Sequence, residues 1–315
     1  MKLAALDVGT NTVLMLVVER NPDGELRTLA ELSRITRLGR GIESSARLDP
    51  QAAAATLDAI VEFTGQARAL GAKKILAVAT AALRDASDGA EFLARVRERA
   101  GIELEIISGE SEAQLAWLAV SRGLKLDPAE HVLVVDIGGG STELIRAEPG
   151  RRLDAVSLQI GSVRLTERIV KHDPPLIREA ADLRLAVDDA IRALGWKFHP
   201  TLMVGIAGTV TTICAFVLGL EHYDSKIVHG HRMQHREVLD AIARLCKIPL
   251  SERMKLPGID PGRADVIIAG AAILERIMAS FGLDEVVVSD QGVRWGLVWR
   301  EFEAQGAGTS SSAPE

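Results

Sequence analysis

The segment from Val132 to Glu143, VLVVDIGGGSTE, contains residue types that could bind a phosphate group together with a metal ion. An apolar strand ends at Asp136, and three glycines, two hydroxyl side chains and Glu143 follow directly. Glycine loses more backbone freedom on folding than any other residue, so three in succession need a compensating use. One such use is a loop whose successive amide groups approach an anion closely. The segment therefore predicts a phosphate-binding loop with the ligands Gly138, Gly139, Gly140 and Ser141.

The beginning of the chain repeats this pattern. Residues 7–12, DVGTNT, align with residues 136–141, DIGGGS, and each segment lies between two apolar strands. An internal duplication explains the repetition, and two similar halves predict a ligand-binding cleft between two domains. In the first copy, Thr10 and Asn11 are the predicted side-chain donors to phosphate.

A third glycine-containing segment, GIAGT at residues 205–209, lies between a predicted strand and a predicted helix. Gly208 and Thr209 would form a turn there and expose a helix N-terminus, which is a favourable site for an anion. The surrounding residues 202–220 carry no charge over 19 positions, which is long enough for a membrane span. Their glycines and threonines favour instead a buried strand, a turn and a buried helix. We therefore expect no membrane association.

Three carboxylates lie at or beside the predicted phosphate loops, namely Asp7, Asp136 and Glu143. A bare carboxylate repels phosphate, and a hard divalent cation between the two groups removes this repulsion. Magnesium is the natural candidate, with all three residues as candidate ligands. Asp136 alone would suit an ordinary turn. The recurrence of the same residue type at Asp7 argues for the metal.

The segment SGESEA, residues 108–113, opens a predicted helix and contains Glu110 and Glu112. Either carboxylate could act in catalysis. Both also suit the first turn of a helix, where Ser108 or Gly109 would be the cap and an acid interacts favourably with the helix dipole. Residue chemistry alone does not choose between the two glutamates.

Composition excludes several classes of protein. The chain has 315 residues and a net charge of −6, so it is long enough for two domains and is not expected to coat nucleic acid or an anionic membrane. Its two cysteines resemble neither a metal-ligand pair nor a disulfide framework, which is typical of a cytoplasmic protein.

Alternating strands and helices predict an α/β layer fold with a first domain at 1–126, a second at 127–303 and a disordered tail at 304–315. The predicted strands are 3–7, 12–19, 74–79 and 103–107, and the predicted helices are 50–69, 91–100, 110–122 and 262–281.

As an ordered set, the motifs of the chain resemble those of the exopolyphosphatase and guanosine pentaphosphate phosphohydrolase family as far as about Trp299. DIGGGSTE by itself suits many actin-like phosphotransferases, but the whole set is specific. The motifs are DVGTNT at Asp7, ATAALRDA at Ala79, SGESEA at Ser108, DIGGGSTE at Asp136, IGSVRLTE at Ile160, GIAGTVTT at Gly205, HYDSKIVHGH at His222, LPGIDPGRADVIIAG at Leu256 and SDQGVRWG at Ser289.

The resemblance implies a duplicated actin-like ATPase fold of the ribonuclease H-like type, with two domains flanking a phosphate-binding cleft. It implies release of terminal phosphate from inorganic polyphosphate, or of the 5′ phosphate from guanosine pentaphosphate. By matched position, Glu112 resembles the carboxylate that activates water, and Arg84 resembles a cleft arginine that contacts phosphate. Asp136 and Glu143 match the magnesium ligands. The family also implies stimulation by potassium and often a homodimer.

Two residues depart from the family pattern, since Asp88 stands where Asn is frequent and Trp295 where Glu is common. Longer relatives carry further C-terminal helical domains that extend a polyphosphate channel, so this chain is expected to prefer short polyphosphates. Two other functions stay open at this point. One is a small-molecule kinase of the same architecture, and the other is a polyphosphate or guanosine tetraphosphate sensor without turnover. A pure anion binder gains nothing from three acids near its ligand, which argues against the sensor.

Overall fold

The computed structural model describes residues 1–21 and 24–309, and the chain divides into two compact units. The first unit contains Met1–Ala119 and resumes at Gly292, whereas the second contains Val120–Gln291. The predicted first boundary at residue 126 lies close to this division. The structure differs from the prediction at the other end, because the chain from Gly292 onward packs with the first unit rather than the second.

The first unit is built on a five-stranded sheet. Its strands are β1 (Lys2–Val8), β2 (Thr12–Arg20), β3 (Leu26–Ile35), β4 (Lys74–Ala79) and β5 (Glu105–Ile106). They are ordered β3-β2-β1-β4-β5 across the sheet. The first three strands form an antiparallel meander, while β4 and β5 continue the sheet parallel to β1.

Helices follow the strands of this unit, and local sequence explains where they begin. Asp49 accepts a hydrogen bond from the amide of Ala52 at 2.9 Å, and Pro50 occupies the first helical position beside it. Ser108 likewise accepts a hydrogen bond from the amide of Ser111 at 3.1 Å. The helices are α1 (Ile42–Ser45), α2 (Pro50–Ala69), α3 (Ala81–Asp85), α4 (Gly89–Ala100) and α5 (Gly109–Gly123).

Side chains of β1 alternate between two apolar layers, as expected for a strand buried on both faces. Leu6 and its even-numbered neighbours pack with α2 and α4. Leu3 and Ala5 pack instead with α5 and with the last helix of the chain, Val293–Thr309. This helix includes residues 304–309, which were predicted as the start of a disordered tail, and residues 310–315 lie outside the described residues.

The second unit contains a six-stranded sheet. Its strands are β6 (Val132–Ile137), β7 (Thr142–Ala147), β8 (Asp154–Leu158), β9 (Leu202–Ile206), β10 (Arg232–Gln234) and β11 (Glu285–Val288). They are ordered β10-β11-β9-β6-β7-β8. The core strands β6, β9 and β11 are parallel, and β7 and β8 continue from β6 as an antiparallel meander.

One helix organises the packing of the second unit. Its helices are α6 (Ser162–Ile169), α7 (Ile177–Leu194), α8 (Ala207–Val217), α9 (Ser225–Val228), α10 (His235–Leu245), α11 (Leu250–Arg253) and α12 (Ile267–Phe281), and the last helix of the chain is α13 (Val293–Thr309). The buried helix α12 contacts α6, α7, α8 and α10. It begins five residues later than the predicted helix at 262–281. Among the described residues, no helix is long and apolar enough to cross a membrane.

The two sheets share one topology, which confirms the internal duplication. The order β3-β2-β1-β4-β5 matches β8-β7-β6-β9-β11, and β10 is an additional edge strand. The hairpin turns also match, because the amide of Gly9 donates to the carbonyl of Thr12 at 3.0 Å, and that of Gly138 to the carbonyl of Ser141 at 3.0 Å. The residues of the two aligned motifs therefore occupy equivalent positions in the two units.

Candidate active site

In each unit, the candidate residues follow the carboxyl ends of parallel strands. In the first unit, Asp7 in β1 lies opposite Val78 in β4, so the loop after β1 and the helix after β4 emerge at the same sheet edge. Arg84 lies in that helix, α3, and Glu112 lies in α5, which follows the neighbouring strand β5. Ligands of open α/β sheets bind at such an edge. The structure thus brings the predicted residues of this unit together.

The loop after β1 is held by its carbonyl groups. The carbonyl of Thr10 accepts a hydrogen bond from Gly39 at 2.8 Å, and that of Asn11 accepts from Thr36 and Arg37 at 3.0 Å each. The amides of Thr10 and Asn11 donate no hydrogen bond to any described residue. A loop whose carbonyls accept hydrogen bonds while its amides donate none is suited to binding an anion.

The loop after β6 in the second unit is held in the same way. The carbonyl of Gly138 accepts from the amide of Ser162 at 2.9 Å, and that of Gly139 accepts from Val163 at 2.9 Å. Arg164 donates from Nε to the carbonyl of Gly140 at 2.7 Å. Within the described part of the chain, the amides of Gly139, Gly140 and Ser141 donate no hydrogen bond. The N-terminus of α6 therefore binds the carbonyl side of the predicted phosphate loop.

This close approach requires a glycine at position 161. A Cβ atom on Gly161 would lie 2.3 Å from the carbonyl oxygen of Gly139 and 2.5 Å from the carbonyl carbon of Gly140. Both contacts are with backbone atoms, which have little freedom to move aside. The glycine-rich loop and Gly161 therefore form one packed unit, although Gly161 follows Gly140 by 21 positions in the sequence.

Asp136 and Glu143 are paired directly across β6 and β7. Directly opposed residues of an antiparallel pair have Cβ atoms about 4.5–5.5 Å apart, and like charges there are destabilising. Glu143 is buried, and its Oε1 accepts from the hydroxyls of Ser141 and Ser157 at 2.7 Å each. The hydroxyl of Ser141, predicted as a phosphate donor, is thus bonded to Glu143. Its amide remains for the predicted role.

The opposed pair fits a divalent cation that also binds phosphate. No group of three or more His, Cys, Asp or Glu that could hold a metal occurs among the described residues. Mg²⁺ is usually bound by one or two carboxylates together with waters and substrate phosphates, rather than by a complete protein cage. A bound cation would also relieve the repulsion between Asp136 and Glu143.

The segment after β9 differs from the predicted turn. Helix α8 begins at Ala207 directly after the strand, so Gly208 and Thr209 lie in its first turn. Ala207 has a left-handed backbone conformation, with a φ of 65°, at the junction of strand and helix. No separate turn lies between β9 and α8. Amides in the first turn of a helix are suited to an anion, and phosphate binding by Gly208 and Thr209 stays a prediction.

Arg263 lies against this helix start, and its sequence context, GRAD, suggested a structural ion pair rather than a place beside a phosphate site. A Cβ atom on Gly208 would lie 2.3 Å from the guanidinium carbon of Arg263. Burial lowers the pKa of Arg263, as expected for a cation in a desolvated place. The sequence signal was indirect, because only a glycine at position 208 allows the guanidinium to approach so closely.

Gly270 connects the two loop regions of the second unit. A Cβ atom on this residue of α12 would lie 2.4 Å from Cγ2 of Thr209 and 3.4 Å from Cβ of Ser162. Thr209 opens α8, and Ser162 bonds to the carbonyl of Gly138. The glycine-rich loop and the start of α8, predicted separately as phosphate sites, are therefore neighbours.

Asp7 lies on the face of β1 that α13 covers, by the alternation of side chains along the strand. Its Oδ1 is buried and has no hydrogen-bond partner among the described residues. Burial raises the pKa of Asp7 to about 6, and Arg294 in α13 partly offsets this effect. Arg294 also pairs with Glu31 at 3.1 Å. An unsatisfied, desolvated carboxylate oxygen is compatible with the predicted cation ligand, which stays a prediction for Asp7.

Asp7→Asn is expected to raise stability above pH 6. The pKa of Asp7 is higher in the folded chain, about 6, than its ordinary value of 3.8. Folding is therefore favoured while the carboxyl is protonated, and stability is lost as pH rises through this window. Asparagine does not ionise, so the variant should be more stable than the wild type at pH 8 by up to about 3 kcal/mol. In a chelator, this should appear as a melting temperature that is several degrees higher.

The control for this measurement is Asp58→Asn, which removes an exposed carboxylate paired with Arg99 at 3.3 Å. It should change the melting temperature little at any pH, because exposed pairs contribute about 0–1 kcal/mol. A lower melting temperature of Asp7→Asn at pH 8 than of the wild type would contradict the burial argument.

The structure distinguishes the two glutamates that residue chemistry alone left equivalent. Glu110 is exposed, whereas Glu112 is buried, with 9% of its surface accessible. Oε2 of Glu112 accepts a hydrogen bond from Nη1 of Arg84 at 3.0 Å. A buried carboxylate held by a cation can be oriented towards a substrate, while an exposed one in the first helical turn serves the helix dipole.

Comparison with known proteins identifies the family of the chain. A model of the Ppx/GppA phosphatase family matches residues 17–305. Exopolyphosphatase 2 of Mycobacterium tuberculosis is 33% identical over 312 residues, covering 94% of this chain and 97% of the relative.

Solved structures show the same similarity. A Ppx/GppA family member from Aquifex aeolicus is 32% identical, with a TM-score of 0.83, over 97% of this chain and 98% of that chain. An exopolyphosphatase from Cytophaga hutchinsonii is 22% identical with a TM-score of 0.89, over 96% of this chain and 98% of that chain, and shows the fold. The duplicated actin-like α/β fold is thereby confirmed. Since the family model and these relatives match it along almost its whole length, the chain belongs to the Ppx/GppA phosphatase family.

Proposed function

We propose that this protein is a magnesium-dependent phosphohydrolase that releases terminal orthophosphate from inorganic polyphosphate, and that it also removes the 5′ phosphate of guanosine pentaphosphate. The observation that supports the proposal most strongly is the loop at residues 138–141. Its carbonyls accept hydrogen bonds from the start of α6. Within the described part of the chain, the amides of Gly139, Gly140 and Ser141 donate to no acceptor. Such a row of amides stabilises the negative charge of a phosphoryl group.

The names of the relatives support the choice of substrate. The aligned relative from Mycobacterium tuberculosis is an exopolyphosphatase, and the alignment covers nearly the whole of both chains. Removal of guanosine pentaphosphate's 5′ phosphate is the same reaction at a phosphoanhydride, so one site could serve both substrates. Phosphoryl transfer needs positioning and charge neutralisation more than covalent chemistry from the protein.

Asp136 and Glu143 would hold the magnesium ion. When bound, the ion would supply positive charge to the phosphoryl oxygens. The protein contributes the directly opposed pair of carboxylates and the two serine hydroxyls that hold Glu143 in place. Potassium stimulation and a homodimer, both implied by the family resemblance, are further parts of the proposal.

Glu112 would orient the attacking water and accept its proton. An ordinary glutamate has a pKa of about 4.3 and is a weak base at neutral pH, so positioning is its main contribution. The helix α5 fixes its backbone, because the amide of Glu112 donates to the carbonyl of Ser108 at 2.9 Å. The water would then attack the terminal phosphorus in line with departure of the shortened chain.

The test is phosphate release from polyphosphates of defined length, with guanosine pentaphosphate and ATP as parallel substrates, in magnesium or in chelator. We expect release from polyphosphate that needs magnesium and water alone, with short chains preferred. ADP formation that depends on an added sugar or carboxylic acid would instead support a small-molecule kinase. Tight binding of polyphosphate without any magnesium-stimulated release would support a sensor, and either result would overturn the proposal.

Glu143→Gln is expected to raise the magnesium concentration needed for half-maximal activity by about 10-fold or more, because changes around a metal ligand typically cost 10–100-fold in affinity. The measurement is initial phosphate release against free magnesium. Glu148→Gln is the matched control, since Glu148 lies just beyond the same strand and pairs with Arg146 at 3.3 Å. An unchanged magnesium dependence of Glu143→Gln would remove this residue from the metal site.

A further inference from the structure

Arg84 has a bonding pattern that its expected role as a phosphate ligand does not explain. Its Nη1 donates both to the carbonyl of Ile107 at 2.9 Å and to Oε2 of Glu112 at 3.0 Å. The side chain is 26% exposed, and that of Glu112 is 11% exposed. One nitrogen of the guanidinium is thus bonded to a backbone carbonyl and to the candidate catalytic carboxylate together.

Three elements at one sheet edge produce this contact. Arg84 lies in α3 directly after β4, and its amide donates to the carbonyl of Thr80 at 3.2 Å. Ile107 follows the parallel strand β5, and its amide donates to the carbonyl of Ala79 at 3.0 Å. Glu112 lies in the first turns of α5, which begins two residues later. Arg84 is therefore fixed relative to Glu112 by the sheet itself.

A glutamate side chain has several rotatable bonds, and ordering such a side chain costs conformational entropy. The cap at Ser108 fixes the backbone of Glu112 but not the direction of its carboxylate. The charge-assisted bond from Arg84 supplies that direction, since such bonds are shorter and about twice as strong as neutral ones. Misplacement of a catalytic group by about 1 Å can cost 10²-fold in rate.

We propose that Arg84 is a positioning residue, which acts on turnover by holding the carboxylate of Glu112 in the orientation that water activation needs. This inference rests on the proposed function, because it assigns Arg84 a role through Glu112. It differs from the role implied by family resemblance, in which Arg84 contacts phosphate directly. A phosphate ligand would act mainly on substrate binding, whereas a positioning residue acts mainly on kcat.

The experiment is a double-mutant cycle with Arg84→Met, Glu112→Gln and the combined variant, assayed for phosphate release from a short polyphosphate. We expect Arg84→Met to lower kcat by about 10–100-fold with KM within threefold of the wild type. In the Glu112→Gln background, the same change should lower kcat by less than threefold, since a correctly oriented glutamine still cannot accept the proton.

Arg84→Lys serves as the conservative variant. Lysine retains the positive charge but is a point donor without the planar fork, so we expect it to recover part of the lost kcat. If Arg84→Met does not fold, the cycle with Arg84→Lys measures the same coupling. Arg97→Met is the matched control, because Arg97 also bonds to a glutamate of the first unit, Glu103, at 2.6 Å, but both of these side chains are exposed. It should leave kcat and KM unchanged.

Two results would overturn the inference. One is a rise in KM on Arg84→Met that exceeds the fall in kcat. The other is an effect of Arg84→Met that is as large in the Glu112→Gln background as in the wild type. Either result, with Glu112→Gln inactive and the wild type active, would reject the role of Arg84 and leave the proposed function standing. Absence of phosphate release by the wild type would reject the function itself and the inference with it.

Discussion

Glu112→Gln is expected to lower kcat by roughly 10²–10⁴-fold, with substrate binding almost unchanged. Glutamine has nearly the same shape and can still accept the hydrogen bond from Arg84, but it does not accept a proton from water. The structure supports a specific effect, because Glu112 is buried and its Oε2 lies 3.0 Å from Nη1 of Arg84. The measurement is kcat and KM for polyphosphate, together with direct binding of polyphosphate to the variant.

Glu110→Gln is the matched control, because Glu110 lies in the same helical turn but is exposed. This variant should keep turnover within threefold of the wild type. It should lower stability only slightly, because the favourable interaction of Glu110 with the helix dipole is lost. Glu112→Gln with near wild-type turnover, or an equal loss from Glu110→Gln, would remove Glu112 from the mechanism.

Gly161→Ala is expected to lower kcat/KM by about 10²-fold or more. The backbone of Gly161 is extended, at a φ of −138°, so alanine is compatible with its conformation. Its Cβ would nevertheless lie 2.3 Å from the carbonyl oxygen of Gly139, a distance at which the loop must move. A shift of about 1 Å in groups that bind a reacting phosphoryl is enough for a loss of this size. The assays are steady-state kinetics and a melting curve on the same sample.

Gly65→Ala is the control for Gly161→Ala. Gly65 lies within α2, and a Cβ atom there would have no neighbour within 4 Å. Because alanine is a better helix former than glycine by about 1 kcal/mol, this variant should be slightly more stable and equally active. If Gly161→Ala were as active as the wild type, the activity would not depend on the packing of Gly161 against the predicted phosphate loop.

Much of the fold was predictable where the signal is local. The helix at 50–69 matches α2 residue for residue, since Asp49, Pro50 and Gly71 mark both of its ends. The hairpins after Asp7 and Asp136 were predicted from strands separated by short glycine-containing turns. The duplication needed only the alignment of these two segments, which the matching sheet order confirms.

Strand β3 was not predicted as a strand of defined length, and its sequence explains why. Its apolar residues Leu26, Leu29, Leu32 and Ile35 recur every third position instead of every second. The register between β2 and β3 shifts at Val17 and Val18, so the regular alternation is interrupted. The alternation at every second residue that identifies a strand is therefore absent from this segment.

Within the candidate site, contacts between distant segments were not predictable. The choice of Glu112 over Glu110 depends on Arg84, 28 positions earlier, and only the sheet brings them together. The bonds from the start of α6 to the glycine-rich loop span more than 20 positions. Arg263 suited an ordinary structural ion pair by its sequence context, and nothing in the sequence places its guanidinium against Gly208.

Helix α13 follows the second unit in sequence but packs with the first, which affects the order in which the two units can fold during synthesis. A nascent chain emerges from the ribosome with its first segment leading, yet one face of that segment's sheet is covered by residues that are translated after the whole second unit. The intervening unit, Val120–Gln291, is contiguous and can close its own core earlier. Synthesis therefore leaves one apolar face of the first sheet uncovered until the second unit has been translated, and during this interval a chaperone could protect that face.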